Sequence, residues 1–261
     1  MTAEHLHAVV HEGRGPFALL VHGAVASRSY WADNIDALSE VCRPVVVELW
    51  GHGRSPSPAD PARHEPDGYV AEFEHLRAEL GADEWITIGQ SMGAALTLHY
   101  GLAHPERVIA QVITNCSSAF SPTDSWRQRH RTIIAPLVER LRAEGTDVLR
   151  EHFINPSRSN RIPKSTRDLL AIEFDEHDAI GMAQSLFTTN ALVPLGDRVL
   201  GVSRPTILTL GVDDERFSSL VPQAKLIPGL EIVELDAGHA VNAHDPNGWN
   251  QAVIEFITRS R

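Results

Sequence analysis

The 261-residue chain has only two cysteines, Cys42 and Cys116, too few for a disulfide framework. It has no CxxC and no HExxH, and its fourteen histidines fall in no ligand spacing, so no metal site is expected. No apolar run reaches the roughly 18 residues that a membrane-crossing helix needs. The stretch from Met1 to His11 lacks a basic region followed by an apolar core, so no secretory signal is expected. With the free thiols, that points to a cytoplasmic protein. Positive charge is also scarce: 23 Lys and Arg stand against 34 Asp and Glu, a formal net charge of −11. Such a chain repels nucleic acid and anionic lipid, leaving a small molecule as the expected partner. No internal repeat or low-complexity tract occurs.

What is present is a rhythm. Short β-rich apolar runs lie at Phe17 to Val21, Pro44 to Leu49, Trp85 to Gly89, Val108 to Thr114, Pro205 to Leu210 and Leu230 to Leu235. Several, such as Val45-Val46-Val47, are continuous rather than alternating, which fits strands covered on both faces. Helical spacing fills the gaps: Tyr30 to Val41, Tyr69 to Leu80, Ala94 to Ala103 and Asn247 to Ile257. Alternation of this kind defines an α/β fold with a mostly parallel central sheet. His5, His7 and His11 read as a solvated tail or an edge strand.

Between Ser117 and Val202 the rhythm breaks. Helices are expected at Trp126 to Ala143, Thr146 to Phe153, Thr166 to Glu176 and Ala179 to Thr189, punctuated by Pro156, Pro163 and Pro194. The expected division is therefore a core of residues 1–116 and 203–261, with 117–202 as a helical cap.

One motif carries chemistry. Gly89-Gln90-Ser91-Met92-Gly93 follows an apolar strand directly and opens a helix directly. A chain that turns this sharply lifts the central side chain off the sheet, and the flanking glycines leave room that a Cβ would deny. A serine hydroxyl needs a base, and the base needs an orienting acid. His239, just past the strand ending at Leu235, lies where open α/β sheets place their sites. The strand ending at Leu210 runs into Gly211-Val212-Asp213-Asp214, and sequence mechanics do not separate the two acids.

The order Ser91, acid, His239 resembles the α/β-hydrolase superfamily. His22-Gly23-Ala24 is similar to that family's oxyanion-hole loop, Gly51-His52-Gly53-Arg54-Ser55 to its Gly-x-Gly-x-Ser turn, and Ala237-Gly238-His239 to its histidine loop. The resemblance spans nearly all of the chain outside the cap. It implies that Asp214, three positions after Gly211, is the acid. It also implies that the backbone N–H groups of Ala24 and Met92 receive the oxyanion. The epoxide hydrolases and haloalkane dehalogenases of this fold carry Asp at the elbow, so Ser91 counts against both.

The expectation is thus a serine hydrolase that cleaves a small or medium carboxylic ester through an acyl-enzyme, with no cofactor. Rival activities are a carbon–carbon bond hydrolase of the ring meta-cleavage type, a lactonase, a thioesterase, and a non-enzymatic receptor on the same fold. Trp50, Phe120, Trp126, Phe187 and Leu192 are candidate pocket walls, though Trp50 reads equally well as packing under the cap. Arg127, Arg129 and Arg131 are candidate partners for a substrate carboxylate, or else a solvated helix face. His22 and His52 are expected to brace loops, Cys116 to be packing and His244 to lie at the surface. Monomer and homodimer are both compatible with the pattern.

Overall fold

The computed structural model describes residues 4–150, 152 and 154–261. Its centre is a seven-stranded sheet of order β1-β3-β2-β4-β5-β6-β7. The strands are β1 (Ala8–Val10), β2 (Phe17–Val21), β3 (Arg43–Val47), β4 (Trp85–Gln90), β5 (Val108–Thr114), β6 (Thr206–Gly211) and β7 (Glu231–Leu235). Only β1 runs antiparallel, pairing with β3 at the edge. Among the described residues of the His-rich start, only Ala8–Val10 forms an edge strand, with His7 and His11 just outside it.

The continuous apolar runs have a direct structural cause. Leu19 and Val21 of β2 pack into one core, with Tyr69, Phe73, Leu96 and Leu98 from the helices Pro66–Glu79 and Met92–Ala103. Ala18 and Leu20 enter a second core on the opposite face, with Trp249, Val253 and Phe256 of the helix Pro246–Arg259. A strand buried on both sides is apolar on both faces, and the polar residues it does hold must find partners inside. The sheet and its two flanking layers are the α/β-hydrolase fold that the motifs implied.

Parallel register brings the functional ends together. Val21 pairs with Gly89, Gln90 with Thr114, Thr114 with Thr209 and Gly211 with Leu235. The residues after β2, β4, β5, β6 and β7 therefore all emerge at one edge of the sheet.

From Ser117 to Gly201 the described residues are helical or irregular, with no strand. This insertion has its own apolar core of Leu137, Val138, Leu141, Phe174, Met182 and Leu186, joined to the sheet domain through Val25. The run expected as one helix from Trp126 to Ala143 is interrupted. An α-helix spans Thr123–Arg129, a π-helical turn His130–Ile134, and an α-helix Ala135–Glu144. Pro136 has no amide hydrogen for the preceding turn, which widens to accommodate it. The run from Ala179 contains a similar π turn at Ser185–Thr189. Of the helix expected from Thr146 to Phe153, Asp147–Arg150 is helical; residues 151 and 153 lie outside the described residues.

Tyr30 to Val41 is likewise two pieces, a 3-10 turn at Arg28–Trp31 and a short α-helix at Ile35–Ser39. Asn34, at the break, spends its side-chain amide on Asn242 O (3.0 Å) and Asn250 Oδ1 (2.9 Å).

A buried polar knot fastens the last helix to the middle of the sheet. Trp249 Nε1–H is shared between Thr114 Oγ1 and Thr209 Oγ1, each at 3.1 Å, and the two hydroxyls are 2.8 Å apart. Trp249→Phe keeps an aromatic ring but removes the donor and part of the indole's buried volume. It should cost about 1–3 kcal/mol, read as a lower urea midpoint with the far-ultraviolet circular dichroism unchanged.

Candidate active site

Ser91 sits between β4 and the helix Met92–Ala103 with φ 53° and ψ −119°. That backbone is costly for a residue with a Cβ and persists only where its surroundings enforce it. Here the enforcement is visible. Ser91 N–H donates to Thr114 O at 3.0 Å, and Ser91 O accepts from Ala95 N–H at 3.2 Å and Cys116 Sγ–H at 2.9 Å. A Cβ on Gly89 would stand 2.5 Å from Ala94 Cα, and one on Gly93 2.2 Å from Val21 O. Only glycine lets strand, turn and helix approach this closely.

His239 lines the same cavity as Ser91 and meets Asp214. His239 Nδ1–H donates to Asp214 Oδ2 at 2.6 Å. Asp214 is almost fully buried and also accepts from Asn115 Nδ2 (3.1 Å) and Phe217 N–H (3.4 Å). Burial opposes its charge. The His239 hydrogen bond and the charges of His239 and Arg216 outweigh that, and its pKa lies below the ordinary carboxylate value. Asp213 is exposed and pairs with Arg161 of the insertion at 2.5 Å. The two acids that the sequence left open are thus separated by direction: Asp214 turns in, Asp213 out.

Ser91, His239 and Ala24 line one cavity of about 520 Å³ between the sheet edge and the insertion. Ser91 Oγ has no hydrogen-bond partner among the described residues, so its hydroxyl is available to a bound molecule. Catalytic hydrogen bonds are often incomplete before substrate binds. Met92 opens the helix, where first-turn amides have no partner within the helix. Its side chain is buried in the core, so only its backbone is available to the site.

Around Ala24 the loop is held by imidazoles. His22 Nδ1–H donates to Gly23 O (2.7 Å), and His22 Nε2 accepts from Leu49 N–H (3.2 Å). His52 Nδ1–H donates to Trp50 O (3.0 Å), and its Nε2 accepts from Val25 N–H (3.2 Å). Val25 has φ 63°, strained for a β-branched residue. From the insertion, His177 Nδ1 accepts from Gly53 N–H at 2.8 Å. These rings form a chain of tilted and edge-to-face contacts, with centroids 5.2 Å apart and planes at 53° for His22–His52, and 5.4 Å and 69° for His52–His177.

Of the expected pocket walls, Trp126 lines the cavity and four do not. Trp50 is fully buried against Tyr69, with its Nε1–H on Arg63 O (2.9 Å), because the chain turns inward at Gly51. Phe120 packs on Phe217 (6.1 Å between centroids) and lines a separate cavity of about 170 Å³. Phe187 and Leu192 are exposed. Leu186 lines the cavity instead of its neighbour Phe187, in a stretch whose π turn departs from ordinary helical phase. His244 is not a surface residue. It lines the cavity, accepts Gly238 N–H at Nδ1 (3.1 Å) and meets Ser159 Oγ at Nε2 (3.0 Å), tying the histidine loop to the insertion. Burial pushes its pKa down to about 4. Cys116 is buried, with its thiol pushed up to about 11 chiefly by that burial.

Three residues in the arrangement carried no signal in the sequence. Asn115 bridges Asp214, Gly211 N–H (3.1 Å) and Gly238 O (3.3 Å). Gln90 donates to His239 O at 3.2 Å. Tyr30 lines the cavity although nearly fully buried. Among the described residues no group of three His, Cys, Asp or Glu side chains is placed to hold a metal ion, and no helix is long and apolar enough to cross a membrane.

A serine at the apex of a sharp strand-to-helix turn, with a hydrogen-bonded histidine and carboxylate at later strand ends, is the arrangement of a class of enzymes. A sequence profile described as alpha/beta hydrolase fold matches residues 19–246. The chain belongs to the α/β-hydrolase family and is a hydrolase. It is 26% identical, over 97% of its length and 94% of the relative, to a Bacillus subtilis protein provisionally named 2-succinyl-6-hydroxy-2,4-cyclohexadiene-1-carboxylate synthase. It is 24% identical to a pimeloyl-[acyl-carrier protein] methyl ester esterase of Vibrio cholerae, over 95% of this chain and 96% of that one. The enol-lactonase of Burkholderia xenovorans LB400 has the same fold, with a TM-score of 0.80 at 22% identity, covering 97% of this chain and 96% of that one.

These three buried histidines give a pH prediction. Burial lowers His22 to about 4, and His52 and His177 to about 3, from 6.5. Below pH 6.5 the unfolded chain takes up protons that the folded chain refuses. Their contribution to stability is complete above 6.5 and is lost as pH falls towards 4 and 3. Each histidine can add up to about 1.4 kcal/mol per pH unit. Urea midpoints should fall steeply from pH 7 to pH 5; equal midpoints would contradict neutral, accepting imidazoles.

Proposed function

We propose that the protein hydrolyses a carboxylic ester of a small or medium substrate through an acyl-enzyme on Ser91. The observation that carries this is the 2.6 Å hydrogen bond from His239 Nδ1 to the buried Asp214, made beside a serine held at φ 53°. A carboxylate that accepts Nδ1–H fixes the tautomer that leaves Nε2 free to take a proton. The methyl ester esterase named among the relatives supports an ester as the bond attacked.

In this reading Ser91 Oγ adds to the substrate carbonyl while its proton passes to His239 Nε2. The backbone N–H groups of Met92 and Ala24 receive the developing oxyanion, the former at a helix N-terminus whose dipole favours negative charge. The tetrahedral adduct collapses, the alcohol leaves, and His239 returns the proton to it. Water then gives a proton to His239 and adds to the acyl group. Ser91 Oγ departs with that proton, and the acid is released. Asp214 stays ionised and stabilises the imidazolium in both halves. The insertion, residues 117–202, serves as a cap that shapes the cavity and excludes bulk water. Trp126 and Leu186 supply apolar wall.

With 4-nitrophenyl butyrate as substrate, Ser91→Ala should lower kcat by at least about 10⁴-fold. Asp214→Asn should lower it about 10³–10⁴-fold by releasing the wrong imidazole tautomer. Asp213→Asn, which loses only an exposed ion pair, should change it less than about threefold. If Asp213→Asn were the more damaging of the two, the acid would be misassigned.

A further inference from the structure

The cavity wall is electrostatically one-sided. It carries three guanidinium groups, those of Arg129, Arg158 and Arg216, and no Asp or Glu among its described lining residues. This happens in a chain with eleven more acidic than basic residues. Arg216 is already engaged near the triad, with its Nε 4.0 Å from Asp214 Oδ1, and Arg158 has partners of its own. Arg129 differs. It is half-buried and makes no ion pair among the described residues. Its other neighbour is an aromatic face, with its guanidinium 5.9 Å from the Trp126 ring.

Arg127 and Arg131 flank it in sequence and are exposed. They form the solvated face of the helix; Arg129 alone of the three turns inward. Partial burial, and then the nearby positive charge of Arg216, both work against a charged Arg129. A guanidinium withdrawn from water, beside a second one and without a carboxylate, is unfavourable. An arriving anion relieves it through charge-assisted hydrogen bonds, which the planar fork of arginine makes in pairs. One uncompensated positive charge matches one carboxylate. The rest of the wall includes Ile134, Ile154, Ile162 and Leu186, which suits an organic chain between that carboxylate and the scissile bond.

We propose that Arg129, backed by Arg216, binds a carboxylate borne by the ester itself, so that the preferred substrates are small organic esters that keep a free carboxylate on the acyl or the alcohol side. This rests on the acyl-enzyme reading of Ser91 and adds the substrate class to it.

Two matched pairs of esters test it. In one the carboxylate is on the acyl side: 4-nitrophenyl hemiglutarate against 4-nitrophenyl butyrate. In the other it is on the leaving group: 4-carboxyphenyl butyrate against 4-carbamoylphenyl butyrate. The readout is the ratio of kcat/KM, anionic over neutral, within one preparation, which cancels any loss of folded enzyme. The native enzyme should favour the anionic member of at least one pair. Arg129→Gln should lower that ratio at least tenfold, and Arg129→Lys should restore part of it. Ratios that Arg129→Gln leaves unchanged in both pairs would overturn the carboxylate subsite while leaving Ser91 as nucleophile. If native enzyme cleaved none of the four esters, the Ser91 reading itself would fail and take the subsite with it.

Discussion

The site depends on a chain that passes from strand to helix with a single residue between them. Such a turn forces Ser91 to φ 53°, at an expected cost of about 1–3 kcal/mol. Much of the surrounding structure serves to hold it there. Gly89 and Gly93 remove the side chains that would otherwise hold β4 and its helix away from each other and from β2. Thr114 O and the Cys116 thiol clamp the backbone of Ser91 from β5. Thr114 is itself fixed by Trp249 through the buried hydroxyl pair. The serine is thereby raised at the sheet edge without a flexible loop beneath it, a preorganisation that suits its proposed role as nucleophile.

The partners of Ser91 are brought to it by register rather than by local sequence. Asp214 and His239 lie 25 residues apart, on the ends of β6 and β7, and become neighbours only because those strands pair in parallel. The insertion closes the site by a similar logic. Glu173 and Glu176 share Arg28 with the buried Glu48, at distances from 2.7 to 3.2 Å, and Asp178 N–H reaches Gly51 O at 3.0 Å. His177 extends the imidazole chain that ends at Val25, one residue from Ala24. The geometry of the loop that carries Ala24 is therefore tied to the seating of the insertion.

Much of this could be read from the chain. Continuous apolar runs marked doubly covered strands, and the glycines around Ser91 marked the turn, because sterics leave few alternatives at such positions. The strand-end histidine and acids followed from the rule that open α/β sheets place sites at their carboxyl edge. The separation of Asp213 from Asp214 was not legible in mechanics alone. It depends on Asn115 and on Arg161, which reach these acids from 99 and 52 residues away. The cavity walls were read least well. Trp50, Phe187 and Leu192 are large and apolar, but which way they point depends on a turn at Gly51 and on the phase of a π turn, and neither is written in a hydrophobic pattern. Arg129 among its neighbours is the same case: residue type was visible and direction was not.

The central claim is that Ser91 Oγ is the atom that becomes acylated. It is tested most directly by treating the native enzyme with a fluorophosphonate and locating the adduct by peptide mass spectrometry. The account predicts one equivalent of label, on Ser91, and none in Ser91→Ala. Label on another residue, or equal labelling of native enzyme and Ser91→Ala, would contradict it.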